Sequence, residues 1–236
     1  MILFIADLHL SPERPDILAA FRRFMETEAG NAETLYILGD LFESWIGDDD
    51  RSAFNQQVAE LLSANAKRGV RQYFIHGNRD FLLGQRFAAM AGLTLLPELA
   101  RIDLYGRPAL VMHGDTLCTL DHDYQAFRQK SRSRFWQWRI KLLPLWLRHR
   151  MARHYRQRSQ MANANKAQQI MDVTPSEVDL QMAKWQVDLL IHGHTHRPNR
   201  HQHQHGERIV LGDWYEQGSV LTVTPEAITL SSRPFV

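Results

Sequence analysis

The chain has one cysteine, Cys118, so no internal disulfide can form and a reducing compartment is expected. No base or cationic neighbour stands beside Cys118, so it reads as a small buried hydrophobe and not as a nucleophile. No apolar run approaches the roughly 18 residues of a membrane span. Met1 enters a short apolar run that Asp7 interrupts, which leaves no room for a secretory leader. Export and membrane insertion are therefore not expected; peripheral contact with a membrane stays open. The net charge of +2 is too small to demand a polyanionic partner. One absence is local: positions 124–171 contain no Asp or Glu.

Five apolar runs each end in a cluster of potential metal ligands. Ile2–Ala6 runs into Asp7-Leu8-His9, and Leu35–Leu38 into Gly39-Asp40. Tyr73–Ile75 runs into His76-Gly77-Asn78-Arg79-Asp80, and Ala109–Met112 into His113-Gly114-Asp115. Leu189–Ile191 runs into His192-Gly193-His194-Thr195-His196. Short apolar runs bounded by Gly or Asp are buried-strand signals. Ligands at the ends of several such strands can meet on one sheet edge. Helical spacing of apolar residues falls over 16–29, 51–66 and 81–91, the latter two followed by Gly69 and Gly92 as stops. Strand and helix alternate, which predicts an α/β protein with helices packed on sheet. In the tail, 209–211, 219–223 and 227–230 predict mostly antiparallel strands closing the second half of the sheet system.

The acid-free stretch 124–171 carries twelve Lys or Arg together with Trp136, Trp138 and Trp146. It predicts a helical cap inserted into a core made of 1–123 and 172–236. Arg156, Ser159, Asn163 and Lys166 recur at spacings of three, four and three, which places them on one helix face suited to a phosphorylated sugar. The aromatic and basic residues of 135–148 suit either an interfacial helix on anionic lipid or the wall of an acyl-chain groove. Plain packing of the tryptophans on the core is an equal alternative. The acid-free helices could also be no more than a solvated basic face.

Asp7, His9, Asp40, Asn78, His113, His194 and His196 form an oxygen and nitrogen donor set without thiolate, as hard or borderline divalent ions require. Seven donors exceed the needs of one ion and suit two ions sharing a carboxylate, the arrangement that clamps a phosphoryl displacement. The order of these motifs resembles the calcineurin-like metallophosphoesterase family. That resemblance implies a two-sheet α/β sandwich flanked by helices, with Asp7, His9 and His196 on one metal, Asn78, His113 and His194 on the other, and Asp40 bridging.

Many members of that family have His where this chain has Arg79. A guanidinium donates protons poorly near pH 7 but clamps two phosphate oxygens. A phosphate leaving group needs no general acid, so Arg79 shifts the expected substrate from a simple ester toward a pyrophosphate. With Gly77–Phe81, His113–Thr119, Asp121, Tyr124, Phe127 and Arg128, the chain resembles the branch of the family that hydrolyses a diacylated UDP-sugar in lipid A biosynthesis. The resemblance implies two Mn²⁺ ions and attack of metal-bound hydroxide on the phosphorus nearer the uridine, releasing UMP and 2,3-diacylglucosamine 1-phosphate. It makes Asp40, Asn78 and Arg79 the expected catalytic residues. The expected substrate contacts are Asn78, Arg79, Phe81, Asp121, Phe127, Arg156, Ser159, Asn163, Lys166 and His194. It places the protein on the cytoplasmic face of the bacterial inner membrane, with no nucleic acid or obligate protein partner.

Two other functions stay open on the residues alone. One is a phosphodiesterase or nuclease whose cap follows a nucleic-acid backbone; the other is a binding scaffold without metals. His76 and His192 are expected in supporting or core positions. Asp80 could orient a ligand or support its turn. The tract His201-Gln202-His203-Gln204-His205 is expected at a polar hairpin tip, with a metal clamp as the alternative.

Overall fold

The computed structural model describes residues 1–164 and 172–235, with side chains outside 158–171. The apolar runs are strands: β1 (Ile2–Ile5), β2 (Thr34–Ile37), β3 (Arg71–Phe74), β6 (Arg107–Met112) and β7 (Leu189–His192). The remaining strands are β4 (Thr94–Leu95), β5 (Leu99–Leu104), β8 (Asn199–His203), β9 (Gly206–Val210), β10 (Gln217–Val223) and β11 (Ile228–Pro234). They form a six-stranded sheet in the order β11-β10-β1-β2-β3-β4 and a five-stranded sheet in the order β5-β6-β7-β9-β8. The strands that carry the motifs, β1, β2 and β3 in one sheet and β6 and β7 in the other, run parallel to their neighbours in that group. Their carboxyl ends therefore open on a common edge.

The pleat assigns each layer. Ile2 and Phe4 of β1 meet Ala109 and Val111 of β6 and Leu189 and Ile191 of β7 between the sheets. The alternate residues Leu3 and Ile5 face Ile17, Phe21, Val58, Leu62 and Phe87 on the helices outside the first sheet. Leu110, Met112 and Leu190 pack outward on Val178, Met182 and the Cys118 side chain. Burying one such Leu, Ile or Phe contributes about 1.5–3 kcal/mol. A one-residue slip would exchange the two faces and is excluded by this double burial.

Helices α1 (Pro15–Glu26), α2 (Ala53–Lys67) and α3 (Gln85–Ala91) cover the first sheet. α2 begins where Ser52 accepts the Asn55 N–H, and α3 ends at Gly92 in the left-handed region (φ 69°). α1 stops before 29 because the Thr27 hydroxyl bonds back to Arg23 O at 2.7 Å and a short 3₁₀ turn follows. α3 starts four residues later than its apolar spacing suggests. Asp48, from another loop, accepts N–H groups from Gly84, Arg86 and Phe87 and so caps the helix there.

The tail corrects an expectation. β9 runs parallel to β7 and pairs antiparallel only with β8. β10 and β11 leave that sheet and pair antiparallel on β1 in the first. Alternation of residues shows a half-buried strand but not its partner, and the chain crosses between layers at 211–216. The histidine tract is likewise mostly strand: His201 and His203 lie in β8, and only Gln204 and His205 form the turn.

The acid-free segment forms α4 (His122–Arg132), α5 (Arg134–Lys141) and α6 (Leu145–Ala164), and α7 (Pro175–Trp185) follows it. α4 starts at His122, before position 124, because Asp121 is its N-cap and accepts the Tyr124 N–H at 3.1 Å. The helices are tied to the core. Buried Arg148 donates to Asp49 Oδ1 and to Ile46 O, both at 2.8 Å, and Arg132 donates to Gly77 O at 2.8 Å. Trp136 and Ile140 pack against the helical side of the core. Phe135 (66%), Trp138 (59%), Leu142 (66%) and Trp146 (65%) stay exposed, which splits the three tryptophans between packing and solvent. Among the described residues, no helix is long and apolar enough to cross a membrane.

Candidate metal centre

All seven candidate ligands converge at the shared carboxyl edge. The ligand atoms of Asp7, His9 and His196 lie within 4.8 Å of one another, and so do those of Asp7, Asp40 and His113. Asn78 Oδ1 stands 2.9 Å from His113 Nε2 and 3.0 Å from His194 Nδ1. Asp40 Oδ2 lies 4.0 Å from His9 Nε2 and 3.8 Å from His113 Nε2, between the two halves.

The backbone is shaped for this. Asp7, His9, Asp40, His194 and His196 all adopt left-handed φ values, between 51° and 69°. Such a residue without glycine's freedom costs of order 1–3 kcal/mol and persists where its surroundings dictate it. Hydrogen bonds between loops supply that: Asp7 N to Gly39 O (3.1 Å), His9 N to Asp40 O (2.9 Å) and Gly193 N to His113 O (2.8 Å). A Cβ on Gly77 would collide with the Asp40 carboxylate, and one on Gly193 with that of Asp7. Both motif glycines are thus fixed by close approach of the ligand loops.

Each carboxylate keeps one oxygen for the centre. The Arg79 N–H occupies Asp40 Oδ1 at 2.8 Å, leaving Oδ2 between the histidines. The His194 N–H occupies Asp7 Oδ2 at 2.8 Å, while Asp7 Oδ1, buried and without a hydrogen bond among the described residues, faces His196 Nε2 at 3.3 Å. A buried carboxylate oxygen set among imidazoles suits a cation held between them. Burial opposes the Asp7 charge, but His196, His113 and His9 outweigh it and hold its pKa down. Burial, first among several causes, lowers His9 and His194 to about 4, so both present neutral imidazoles. His196 is pushed up to about 10: burial works against its charge, and Asp7 and Asp213 overcome that. The donor set and the buried Asp7 oxygen fit divalent cations.

Three supporting residues escape the motif reading, and a fourth, Asp115, stands in the His113 cluster with its role unread. Glu43 Oε2 reaches His9 Nδ1 at 3.1 Å, and Asp213 Oδ2 reaches His196 Nδ1 at 3.1 Å. These are the carboxylate partners that orient metal-binding imidazoles. His113 Nδ1 is satisfied by Leu38 O at 2.8 Å. Tyr215 stacks on His9, with ring centroids 5.1 Å apart. Buried Asp115 joins the centre to the cap through Tyr124 and Arg128. A signal for Asp213 existed: Ile209-Val210-Leu211-Gly212-Asp213 repeats the pattern of Leu35–Asp40.

Asp80 has a definite position. Its Oδ1 accepts the Gly77 N–H and its Oδ2 the Leu41 N–H, each at 2.8 Å, so it braces two ligand loops from below. Burial, then the Asp40 charge, pushes its pKa up to about 7. His76 bonds Leu83 O and His192 bonds Gly193 O, supporting positions in both cases. Burial pushes the Cys118 thiol up to about 12, which removes thiolate chemistry.

The expected substrate contacts fall into three groups. Arg79 and Asn78 stand at the centre, Arg79 with its Nε buried and without a hydrogen bond. Arg79 acts electrostatically on both His9 and Tyr215. Phe81, Phe127 and Arg156 lie where cap meets core. Arg132 sits over the Phe81 ring at 5.3 Å, Phe127 packs on Tyr155, and Arg156 pairs with Glu43. Asp121 serves α4 as its cap. The side chains of Ser159 and Asn163, and the whole of Lys166, lie outside the described residues. His201, His203 and His205 do not join any candidate cluster among the described residues.

A profile of calcineurin-like phosphoesterases matches residues 1–198. The chain is 53% identical over 237 residues to the UDP-2,3-diacylglucosamine hydrolase of Klebsiella pneumoniae, covering 99% of each chain. It is 52% identical to the protein of the same name from Photobacterium profundum, covering 99% of this chain and 97% of that one. Among solved structures, a Vps29 variant from Entamoeba histolytica superposes with a TM-score of 0.50 at 15% identity, over 98% of this chain and 90% of that one. Profile, relatives and sandwich agree: the chain belongs to the calcineurin-like phosphoesterases.

Proposed function

We propose that this phosphoesterase hydrolyses the pyrophosphate bond of UDP-2,3-diacylglucosamine, releasing UMP and 2,3-diacylglucosamine 1-phosphate. The observation that carries it is Arg79 in the metal-ligand loop, its backbone N–H on Asp40, in a chain more than half identical to hydrolases of that name over its full length. Asp7, His9 and His196 would hold one cation and Asn78, His113 and His194 the other, with Asp40 serving both. Two divalent ions, Mn²⁺ in this reading, would supply a nucleophile near neutral pH and neutralise charge on the phosphoryl oxygens.

The protein's own groups do the rest. The Arg79 guanidinium stays charged at every working pH and pairs with the oxygens of the pyrophosphate. Because the departing group is a phosphate, no protein acid is required, in agreement with an arginine at this position. Asn78 and His194 line the same end and contact the substrate. Phe81, Asp121, Phe127, Arg156, Ser159, Asn163 and Lys166 supply the sugar and acyl subsite of the cap formed by 124–171. The exposed Phe135, Trp138, Leu142 and Trp146, with Arg139 and Lys141 among them, dock the cap on an anionic bilayer. That places the enzyme peripherally on the cytoplasmic face of the inner membrane, where its lipid substrate resides.

The test is release of UMP from the diacylated UDP-sugar with Mn²⁺, with Mg²⁺ and after chelation, beside single-stranded DNA as substrate. Mn²⁺-dependent UMP release and intact DNA are expected. DNA cleavage without UMP release would make the enzyme a nuclease. Arg79→Ala should lower kcat on the sugar nucleotide while metal content, read by elemental analysis, stays near normal.

A further inference from the structure

Arg208 is a buried cation that the metal centre does not use. It lies on β9 and is 6% exposed. Its Nη1 donates to His192 Nε2 and its Nε to His203 Nε2, each at 3.1 Å. Both acceptors are imidazole nitrogens and not carboxylate oxygens. Among the described residues, no carboxylate oxygen lies within 4.0 Å of this guanidinium. The nearby acids are engaged elsewhere, Asp172 with Arg197 at 3.0 Å and Asp179 with His203 at 3.6 Å. Positions 158–171 contain no Asp or Glu that could reach it. Asp172 acts on Arg208 electrostatically, but from beyond ion-pair contact and while paired with Arg197; a buried charge without a contacting counter-charge is costly, and proteins pair such groups.

The geometry indicates where the counter-charge goes. Arg208 lines a cavity of about 200 Å³ with Thr195, Arg197, Asn199 and His201. Among the described residues, its second amino group, Nη2, makes no hydrogen bond. The Asn199 carbonyl oxygen accepts the Arg200 N–H, which leaves the amide NH₂ as a donor. The cavity thus offers two guanidinium groups, a hydroxyl and an amide against the single carboxylate of Asp172 on its rim. Its wall includes Thr195, between the ligand candidates His194 and His196, and Arg208 reaches the same loop through His192.

We propose that this cavity binds a small tetrahedral oxyanion, a phosphoryl group, through Arg208, Arg197, Thr195 and Asn199, at a site distinct from the metal centre. The occupant completes the charge of Arg208 and, through Thr195 and His192, bears on the loop that carries His194 and His196. The site does not depend on which substrate the metal centre takes.

Calorimetry with inorganic phosphate and with UMP on the full, metal-loaded chain tests it. Loss of one charge-assisted hydrogen bond corresponds to about a tenfold weakening, which is expected for Arg208→Met and for the rim variant Arg197→Ala. Asp40→Asn should keep this binding event and lose any event at the metal centre. UMP binding as tightly as phosphate would identify a nucleotide phosphoryl group as the occupant; weaker binding would identify the free ion. Phosphate binding that survives both arginine substitutions, or no saturable binding outside the metal centre, overturns the proposal. Arg197 is half exposed and stands outside the core, so its variant keeps the test decisive if Arg208→Met folds poorly.

Discussion

Asp115 Oδ2 accepts hydrogen bonds from the Tyr124 hydroxyl at 2.6 Å and from Arg128 Nε at 2.8 Å. A carboxylate two residues past His113 is thereby the anchor of the first cap helix. Burial opposes its charge, but His113, Arg128, His194 and Arg132 together hold its pKa below the usual value of 3.8. The sign follows: this contribution is complete above the unfolded pKa and disappears as pH falls through the lower folded value. Asp115→Asn is expected to lose about 3 kcal/mol at neutral pH, since it leaves Arg128 half paired. Urea melts at several pH values would show the deficit shrinking toward acid. A deficit that did not change with pH would mean the carboxylate is not charged in the fold.

Glu43 and Asp213 each hold the far nitrogen of a candidate ligand imidazole. Glu43→Ala is expected to weaken metal binding about 10–100-fold by releasing His9, with Glu43→Gln intermediate. Asp213→Ala should do the same to the ion on His196 and leave the His113 half intact. Competitive chelation would resolve the two losses. Unaltered metal affinity in both variants would reduce these carboxylates to surface pairs.

Asp80 is expected to matter for the fold before it matters for chemistry. Its removal in Asp80→Ala strands the buried N–H groups of Gly77 and Leu41, at about 1–3 kcal/mol each. Denaturation should register that loss even in chelator, where no metal can mask it. Equal stability of variant and wild type would show that water replaces the carboxylate.

The exposed cap aromatics predict a membrane phenotype separable from catalysis. Trp138→Ser with Trp146→Ser should weaken partitioning onto anionic vesicles, read by sedimentation, by about two to three orders of magnitude, because burial of each indole contributes on the order of 2 kcal/mol. Hydrolysis of a substrate presented in detergent should change little. Vesicle binding equal to wild type would assign these side chains another role.

What the sequence made legible was the part built from local pattern. Apolar run followed by Asp, Asn or His is a property of one strand end, and all five such ends reach the same edge. The helices over α1, α2 and α3 were legible for the same reason; their ends shifted where a capping side chain intervened, local at Thr27 and Ser52 and from another loop where Asp48 meets α3. Long-range pairing was not legible. Nothing near Glu43 announces His9, and nothing near Asp115 announces Arg128; each pair is made by the topology. β10 shows the limit most plainly: its residues alternate as a strand should, yet its partner is β1, more than two hundred positions away.

The left-handed turns at Asp7, His9, Asp40, His194 and His196 also tie the ligand positions to one another. Their conformations are held by hydrogen bonds between loops, Asp7 to Gly39 and Gly193 to His113 through peptides and His194 through the Asp7 carboxylate. The turns that present the candidate ligands are thus part of the backbone's own hydrogen-bond network, so a substitution that breaks one of these loop-to-loop bonds would disturb several ligand positions at once.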